Sequence, residues 1–243
     1  MPDSVRLRGC AGARFVTGQM PSLRQILAAH APLLLLDAAS TCIQAGWLAS
    51  DDLAAARWET ADEEAGTGVF RCVEKLGIRL EDARAFAFCD GPGSVLGIRT
   101  VAMALRAWSV LAPRPCFSYG SLALVAESLG RNDVTVIADA RRELWHACTR
   151  GSPLRRVATG EVHGELVTPG CFRHWSPLPE RVREVPYSLA EMLRRTADAD
   201  LFRSAEAPDA FLHEEPSYVT WAPQIHRAPG AADTGSQSET SPK

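Results

Sequence analysis

Residues 85–111 read AFAFCDGPGSVLGIRTVAMALRAWSVL, and this stretch decides the fold. Ala85–Cys89 is a short apolar run with the length and texture of a buried strand. It breaks at Asp90-Gly91-Pro92-Gly93-Ser94 and resumes as a long apolar-periodic segment. Glycine lets backbones approach closely, proline fixes its own φ, and Ser94 is a good helix N-cap. The stretch therefore predicts strand, tight turn and capped helix, one α/β unit. Helical spacing places Ile98, Val101, Leu105 and Trp108 on the buried stripe. Arg99, Ala102, Met103 and Arg106 fall on another face. Two arginines flanking Met and Ala are an odd choice for a solvated surface and predict that something packs there.

The glycine turn admits two readings. A helix N-terminus offers free N–H groups and the positive end of a dipole, so the turn could cradle an anion. Alternatively the glycines serve strand-to-helix geometry alone. The turn is neither GxGxxG nor a P-loop ending in GK[ST], so the motif by itself favours geometry.

The other parts of the chain set bounds on function. With 243 residues it can form one large domain or two ordinary ones. Its 46% hydrophobic and 23% charged content is that of a globular protein. A formal charge of −3 gives no general pull toward nucleic acid or anionic membrane. No apolar run approaches the roughly 20 residues that span a bilayer, so no membrane role is expected. Only Lys75 and Lys243 are lysine; every other basic side chain among Lys and Arg is arginine. The seven cysteines are scattered, the nearest pair being Cys72 and Cys89, which excludes CxxC motifs and fits a reducing cytoplasm.

In chain order, residues 1–30 are poorly patterned, arginine-rich and nearly free of acids. They superficially resemble a transit peptide; disorder, or a true start at Met20, is the preferred expectation, with the segment outside the fold. Leu33–Asp37 is an apolar strand ending in Asp, followed by a turn and a second strand, Cys42–Ala49. A third strand is expected near Leu53–Glu59, a helix over residues 62–76 with Val69, Phe70, Val73 and Leu76 as its apolar stripe, a strand at Pro115–Tyr119 and a helix from Ser121 to Leu129 closed by Gly130. The pattern then restarts, with Asp133–Asp139 again an apolar strand ending in Asp and Leu144–Cys148 its return strand. This repetition predicts two domains of related topology, 31–130 and 131–227, meeting across a cleft. Beyond Arg150 the signal thins. Pro153–Val162 is a candidate strand, Pro169–Pro186 is read as irregular, Ser188–Arg195 as a short helix, Asp198–Phe202 as a strand, Glu215–Gln224 as a segment docking back, and 228–243 as a disordered tail.

No HxxxH pair, metal-ligand cluster or GxSxG elbow occurs, so no catalytic and no metal-binding residue is assigned. The doublets Arg141-Arg142, Arg155-Arg156 and Arg194-Arg195 could line a nucleic-acid surface, but are read first as solvated faces.

At this point the residues resemble a known family. LLLLDAAS, CDGPGSVLGIRTVAMALRA, VIADARRELWHA and PSYVTWAPQ stand in the order and spacing of the TsaB (YeaZ) family, over about Pro32–Gln224. The resemblance implies an α/β, actin-like ATPase fold (ASKHA, RNase H-like) of two related domains. It also implies a catalytically degenerate subunit that pairs with a TsaD-like catalytic subunit and a TsaE-like ATPase, in making threonylcarbamoyladenosine at position 37 of tRNA. TsaB contacts TsaD through its first two helices, here about 62–76 and 95–111. The expected interface is Phe70, Val73, Glu74, Arg99, Ala102, Met103 and Arg106, self-pairing into a homodimer when the partner is absent, with tRNA reached only through the complex. Asp37, Gly91, Gly93, Ser94 and Asp139 would line a vestigial nucleotide cleft. Ala38, followed by Ala39, stands where the family usually has a hydroxyl residue, and Val95-Leu96 where it has Phe-Thr, so no cofactor beyond weak ATP or ADP binding is expected. The competing expectation is an ATP-dependent phosphotransferase or ATPase that holds Mg²⁺-nucleotide between Asp37 and Asp139.

Overall fold

The leucine run Leu33–Asp37 (β1) is buried at every position, as a strand covered on both faces must be. It pairs antiparallel with Ile43–Leu48 (β2) and parallel with Ala85–Gly91 (β4). Arg57–Ala61 (β3) extends one side, and Cys116–Gly120 (β5) the other. The computed structural model describes residues 20–211, all within one compact unit of the chain. The expectations for residues 1–19, Glu215–Gln224 and 228–243 lie outside the described residues.

The first sheet runs β11-β5-β4-β1-β2-β3, where β11 is the short Arg203–Ser204 edge strand. The second is built from Val134–Asp139 (β6), Leu144–Thr149 (β7), Arg155–Ala158 (β8), Glu165–Pro169 (β9) and Val182–Val185 (β10), in the order β10-β9-β6-β7-β8. Read from the third strand of each hairpin set, both sheets follow the same order and the same pattern of parallel and antiparallel pairs. The duplication expected from the paired Asp-terminated strands is therefore present in the topology.

The helices divide the sheets unequally. Ala65–Lys75 (α2) and Val95–Leu111 (α3) cover the first sheet, and Ser121–Leu129 (α4) touches both sheets. Gly130 closes α4 in the left-handed conformation that a C-terminal glycine supplies. Leu189–Arg195 (α5) follows β10 as α4 follows β5, and packs on α4. Among the described residues nothing like α2 or α3 occurs in the second half: β8 passes to β9 through a single 3-10 turn, and β9 to β10 without a helix. Its far face is instead a small separate core of Ile137, Trp145, Ala147 and Leu166.

Two expectations need correction. The last part of residues 1–30 belongs to the fold: Leu23–His30 (α1) is an amphipathic helix burying Leu23, Ile26, Leu27 and His30. Its start is a capping box, with the Gln25 N–H donating to Ser22 Oγ at 3.3 Å and the Ser22 N–H to Gln25 Oε1 at 2.9 Å. Eight ordered residues behind a long unpatterned stretch were masked by their neighbours. Second, the region read as irregular contains β10, and β9 just precedes it, while the strand expected at Asp198–Phe202 reduces to one bridge between Ser22 and Asp200 before β11. Strands of four or five residues among prolines carry too few side chains to show a period.

Candidate functional site

Asp37 ends β1 and is completely buried. One carboxylate oxygen accepts the Ala39 N–H at 2.8 Å, the Asx-type turn expected of such a residue. The other accepts both the Tyr119 hydroxyl and the Tyr187 hydroxyl, each at 2.7 Å. Tyr119 comes from β5 and Tyr187 from just before α5, so one carboxylate joins the two halves. Gln44 on β2 reinforces the joint, donating to the Tyr187 carbonyl at 2.8 Å and accepting from the Leu189 N–H at 2.9 Å. Burial raises the Asp37 pKa, partly offset by the tyrosine and Ala39 hydrogen bonds. The neighbouring Cys89 thiol is pushed well above its ordinary value, first by burial and then by the charge of Asp37.

The glycine turn is filled by the chain itself. A Cβ on Gly93 would collide with the Ala39 carbonyl oxygen, and one on Gly97 with that of Ala38. These glycines exist because the β1–β2 turn lies directly on the start of α3. The Ser94 N–H donates to the Ala39 carbonyl at 2.7 Å, and the Gly97 N–H to Ser94 Oγ at 3.2 Å, the expected N-cap. Gly91, the end of β4, sits against Ile98 and Phe211 rather than in open space. Across the cleft Asp139 is also saturated: Oδ1 accepts the Arg141 N–H at 2.5 Å, and Oδ2 accepts those of Trp175 and Ser176 at 2.8 and 2.6 Å. Partial burial opposes its ionisation, but these backbone donors outweigh it and hold the carboxyl below the usual range.

Between the halves there remains a cavity of about 20 Å³ lined by Ala39, Ser40, Gly93, Ser94, Asp139 and Trp175 among others. That is room for one water. Of the five residues expected around a nucleotide, Gly93, Ser94 and Asp139 line this cavity and Asp37 and Gly91 do not, and both carboxylates are spent on backbone N–H groups and tyrosine hydroxyls. They do not fit a magnesium nucleotide. Among the described residues no group of three or more His, Cys, Asp or Glu is placed to hold a metal ion.

The expected interface divides. Ala102 is 1% exposed and belongs to the core with Ile98, Val101 and Leu105, and Val73 is also buried. Arg99 and Arg106 are tied to Asp209 of the chain's own 205–211 segment, at 3.7 and 3.5 Å. What packs beside these arginines is therefore intramolecular. Met103 (60% exposed) and Phe70 (48%) stand outside, with Phe70 edge-on to the half-buried Trp108, and Glu74 is exposed. Phe70 thus leaves the buried stripe of α2, where Gly68 and Cys72 join Val69 and Val73.

The real open face of α3 is one the sequence reading missed: Leu96 (77% exposed), Met103, Ala107, Val110 (84%) and Leu111 (85%). Leu96, Met103, Ala107 and Val110 recur at helical spacing and form an apolar line ~21 Å long at 1.5 Å per residue. Helical projection outward from Met103 would have found it. The exposed apolar residues were hidden because α3 is apolar on nearly all sides, so its period is shallow.

Two of the three arginine doublets meet. Arg141 and Arg142 form the β6–β7 turn, and Arg156 on β8 donates to the Ala140 carbonyl at 3.2 Å. The third stays local, Arg194 donating to the Ala190 carbonyl and Arg195 pairing with Glu191.

Two sheets of matching strand order, each opened by an Asp-ended hairpin and joined through α4 and α5, define an actin-like α/β fold. Among solved structures the chain is similar to YeaZ from Pseudomonas aeruginosa, with TM-score 0.55 and 17% identity over 74% of this chain and 99% of that one. It is also similar to an uncharacterised protein described as resembling the peptidase YeaZ from Pseudomonas aeruginosa, with TM-score 0.52 and 17% identity over 68% and 89%. At that identity the likeness establishes the fold. No family model and no curated protein matches the chain. No helix among the described residues is long and apolar enough to cross a membrane.

Proposed function

We propose that this chain is a TsaB-type subunit: a non-catalytic, cytoplasmic partner that docks a TsaD-like catalytic subunit through α2 and α3, alongside a TsaE-like ATPase, in threonylcarbamoylation of tRNA adenosine 37. The observation that carries this reading is the uncovered apolar line of α3 beside Phe70 of α2. A helix whose outer side is Leu, Met, Ala and Val has no reason to face water, and two such helices per subunit suit a four-helix interface. The filled cleft supports the non-catalytic half of the reading, since it offers a nucleotide neither room nor free ligands. The likeness of fold to YeaZ supports the family.

The interface is centred on Leu96, Met103, Ala107, Val110 and Phe70, with Glu74, Arg99 and Arg106 at its rim. In isolation the same face pairs with a second copy. The test is co-expression with the cognate TsaD-like protein. Met103→Asp removes co-purification and converts the isolated homodimer to monomer while leaving that monomer folded by circular dichroism. Co-purification as strong as wild type refutes this docking surface. Tight ATP binding by the isolated chain, lost in Asp37→Ala, would favour the phosphotransferase reading instead.

A further inference from the structure

The docking face accounts for α3 but leaves an aromatic and basic cluster on the second sheet without a role. Trp175 is 54% exposed, although the loop that carries it is firmly held by the Trp175 and Ser176 N–H groups on Asp139. The Arg141 guanidinium lies over its ring, 4.5 Å from the centroid. Arg173 lines the same small cavity as Trp175, Arg142 is the next residue of the turn, and Arg156 reaches that turn through the Ala140 carbonyl. Among the described residues Arg141, Arg142 and Arg173 make no ion pair, whereas Arg131, Arg150 and Arg203 each do. The acids nearby are Asp139, its charge shared among three N–H donors, and Glu143 at the tip of the turn.

We propose that Trp175, backed by Arg141 and with Arg142 and Arg173 beside it, is a stacking platform for an unpaired base of single-stranded nucleic acid, with these arginines engaging its flanking phosphates. The pieces each have a physical reason. A large indole is left in water only at a cost in apolar exposure, yet here its backbone is pinned to Asp139 and its ring lies against the Arg141 guanidinium. One side of the ring is already covered by a guanidinium plane, which strengthens an Arg–Trp–base stack on the other. Arginines without carboxylate partners keep their full charge for phosphate. Base stacking on an aromatic ring is tolerant of sequence, and phosphate contact is salt-dependent, which is the behaviour of a non-specific single-strand surface. The overall charge of −3 does not oppose this, because Arg141 and Arg142 share the β6–β7 turn and Arg173 lines one small cavity with Trp175. The platform is independent of the docking reading: it uses none of α3's open face and is assayed on the isolated chain.

The test is fluorescence anisotropy of a labelled ten-nucleotide single strand titrated with the full chain, at two salt concentrations. RNA and DNA strands of one sequence, and an RNA duplex, form separate arms. Binding to the single strands that is weakened about fivefold or more by Trp175→Ala, with the salt slope kept, supports the stack. A salt slope reduced by about 0.7 in Arg173→Ala, for one phosphate lost, supports the arginine role. RNA and DNA binding equally assigns the site to the shared base and phosphate chemistry, and RNA alone assigns it to RNA. Wild-type binding by Trp175→Ala, a preference for the duplex, or no binding to any strand overturns the proposal. Trp175 and Arg173 are exposed, and an unchanged circular dichroism melt shows that each variant is folded.

Discussion

Replacing Asp37 with alanine separates the two meanings of a strand-end aspartate. In the structure its carboxylate accepts three hydrogen bonds, from Ala39 N–H and the Tyr119 and Tyr187 hydroxyls, all buried. Asp37→Ala leaves those three donors without an acceptor. Each orphaned buried donor costs about 1–3 kcal/mol, offset in part because a desolvated charge is also removed. The expected net loss is about 3 kcal/mol, a fall of roughly 6–12 °C in melting temperature for a domain of this size class. Tyr119→Phe and Tyr187→Phe, which each delete one donor and leave the carboxylate in place, are expected to cost about 1 kcal/mol apiece. Thermal and denaturant unfolding measure all three. If Asp37 were instead a metal or nucleotide ligand, its removal would relieve an unpaired charge and leave stability unchanged or raised. An Asp37→Ala protein as stable as wild type refutes the latch.

Two further outcomes follow from the same geometry. Burial raises the Asp37 pKa in the folded state, so this group's contribution to stability is complete below the ordinary aspartate value and is lost as pH rises through the raised one. Asp37→Asn does not titrate, so its stability relative to wild type should increase from acid toward neutral pH; a denaturant midpoint difference constant across that range refutes the assignment. Gly97→Ala drives a methyl into the Ala38 carbonyl and should destabilise by about 1–3 kcal/mol, whereas an unchanged midpoint would mean that the β1–β2 turn is not seated on α3.

The first half of the fold was legible because its signals are local and strong: β1 and β4 are continuous apolar runs, α3 opens on a glycine turn with Ser94 as its cap, and α4 closes at Gly130. The order of strands in the second sheet was legible only through repetition. Its β9 and β10 were not, since short strands among prolines carry no period. The site was half visible. Gly93, Ser94 and Asp139 do meet at one cavity, but the carboxylates of Asp37 and Asp139 find partners in Tyr119, Tyr187, Trp175 and Ser176, each far away in sequence. No local pattern announces that a tyrosine hydroxyl will occupy an aspartate's lone pairs. The assignment of Ala102 to an outer face failed for a different reason: in a helix this apolar, a small residue suits close packing against the sheet as well as an open face, and only the tertiary contact decides.

The closed cleft and the open helix are physically linked. Rotation of the halves about the cleft would break the Asp37–Tyr187 contact, the bond Gln44 donates to the Tyr187 carbonyl and the one it accepts from the Leu189 N–H, and the pair that Thr41 N–H and Oγ1 donate to the Cys171 carbonyl at 2.8 and 3.0 Å. Most of these bonds are buried, so opening exposes polar groups already satisfied and gains no ligand in return. The β1–β2 turn that blocks the glycine cradle is also the surface on which Gly93 and Gly97 seat the start of α3. The contacts that exclude a phosphate are therefore the contacts that fix the helix. A partner meeting Leu96, Met103 and Val110 finds a face whose backbone is already ordered, and association then costs only the freedom of a few side chains. Loosening the latch with Tyr187→Phe should accordingly weaken docking through α3 although Tyr187 lies nowhere on that face, and unaltered affinity of the folded variant would show that latch and face act separately.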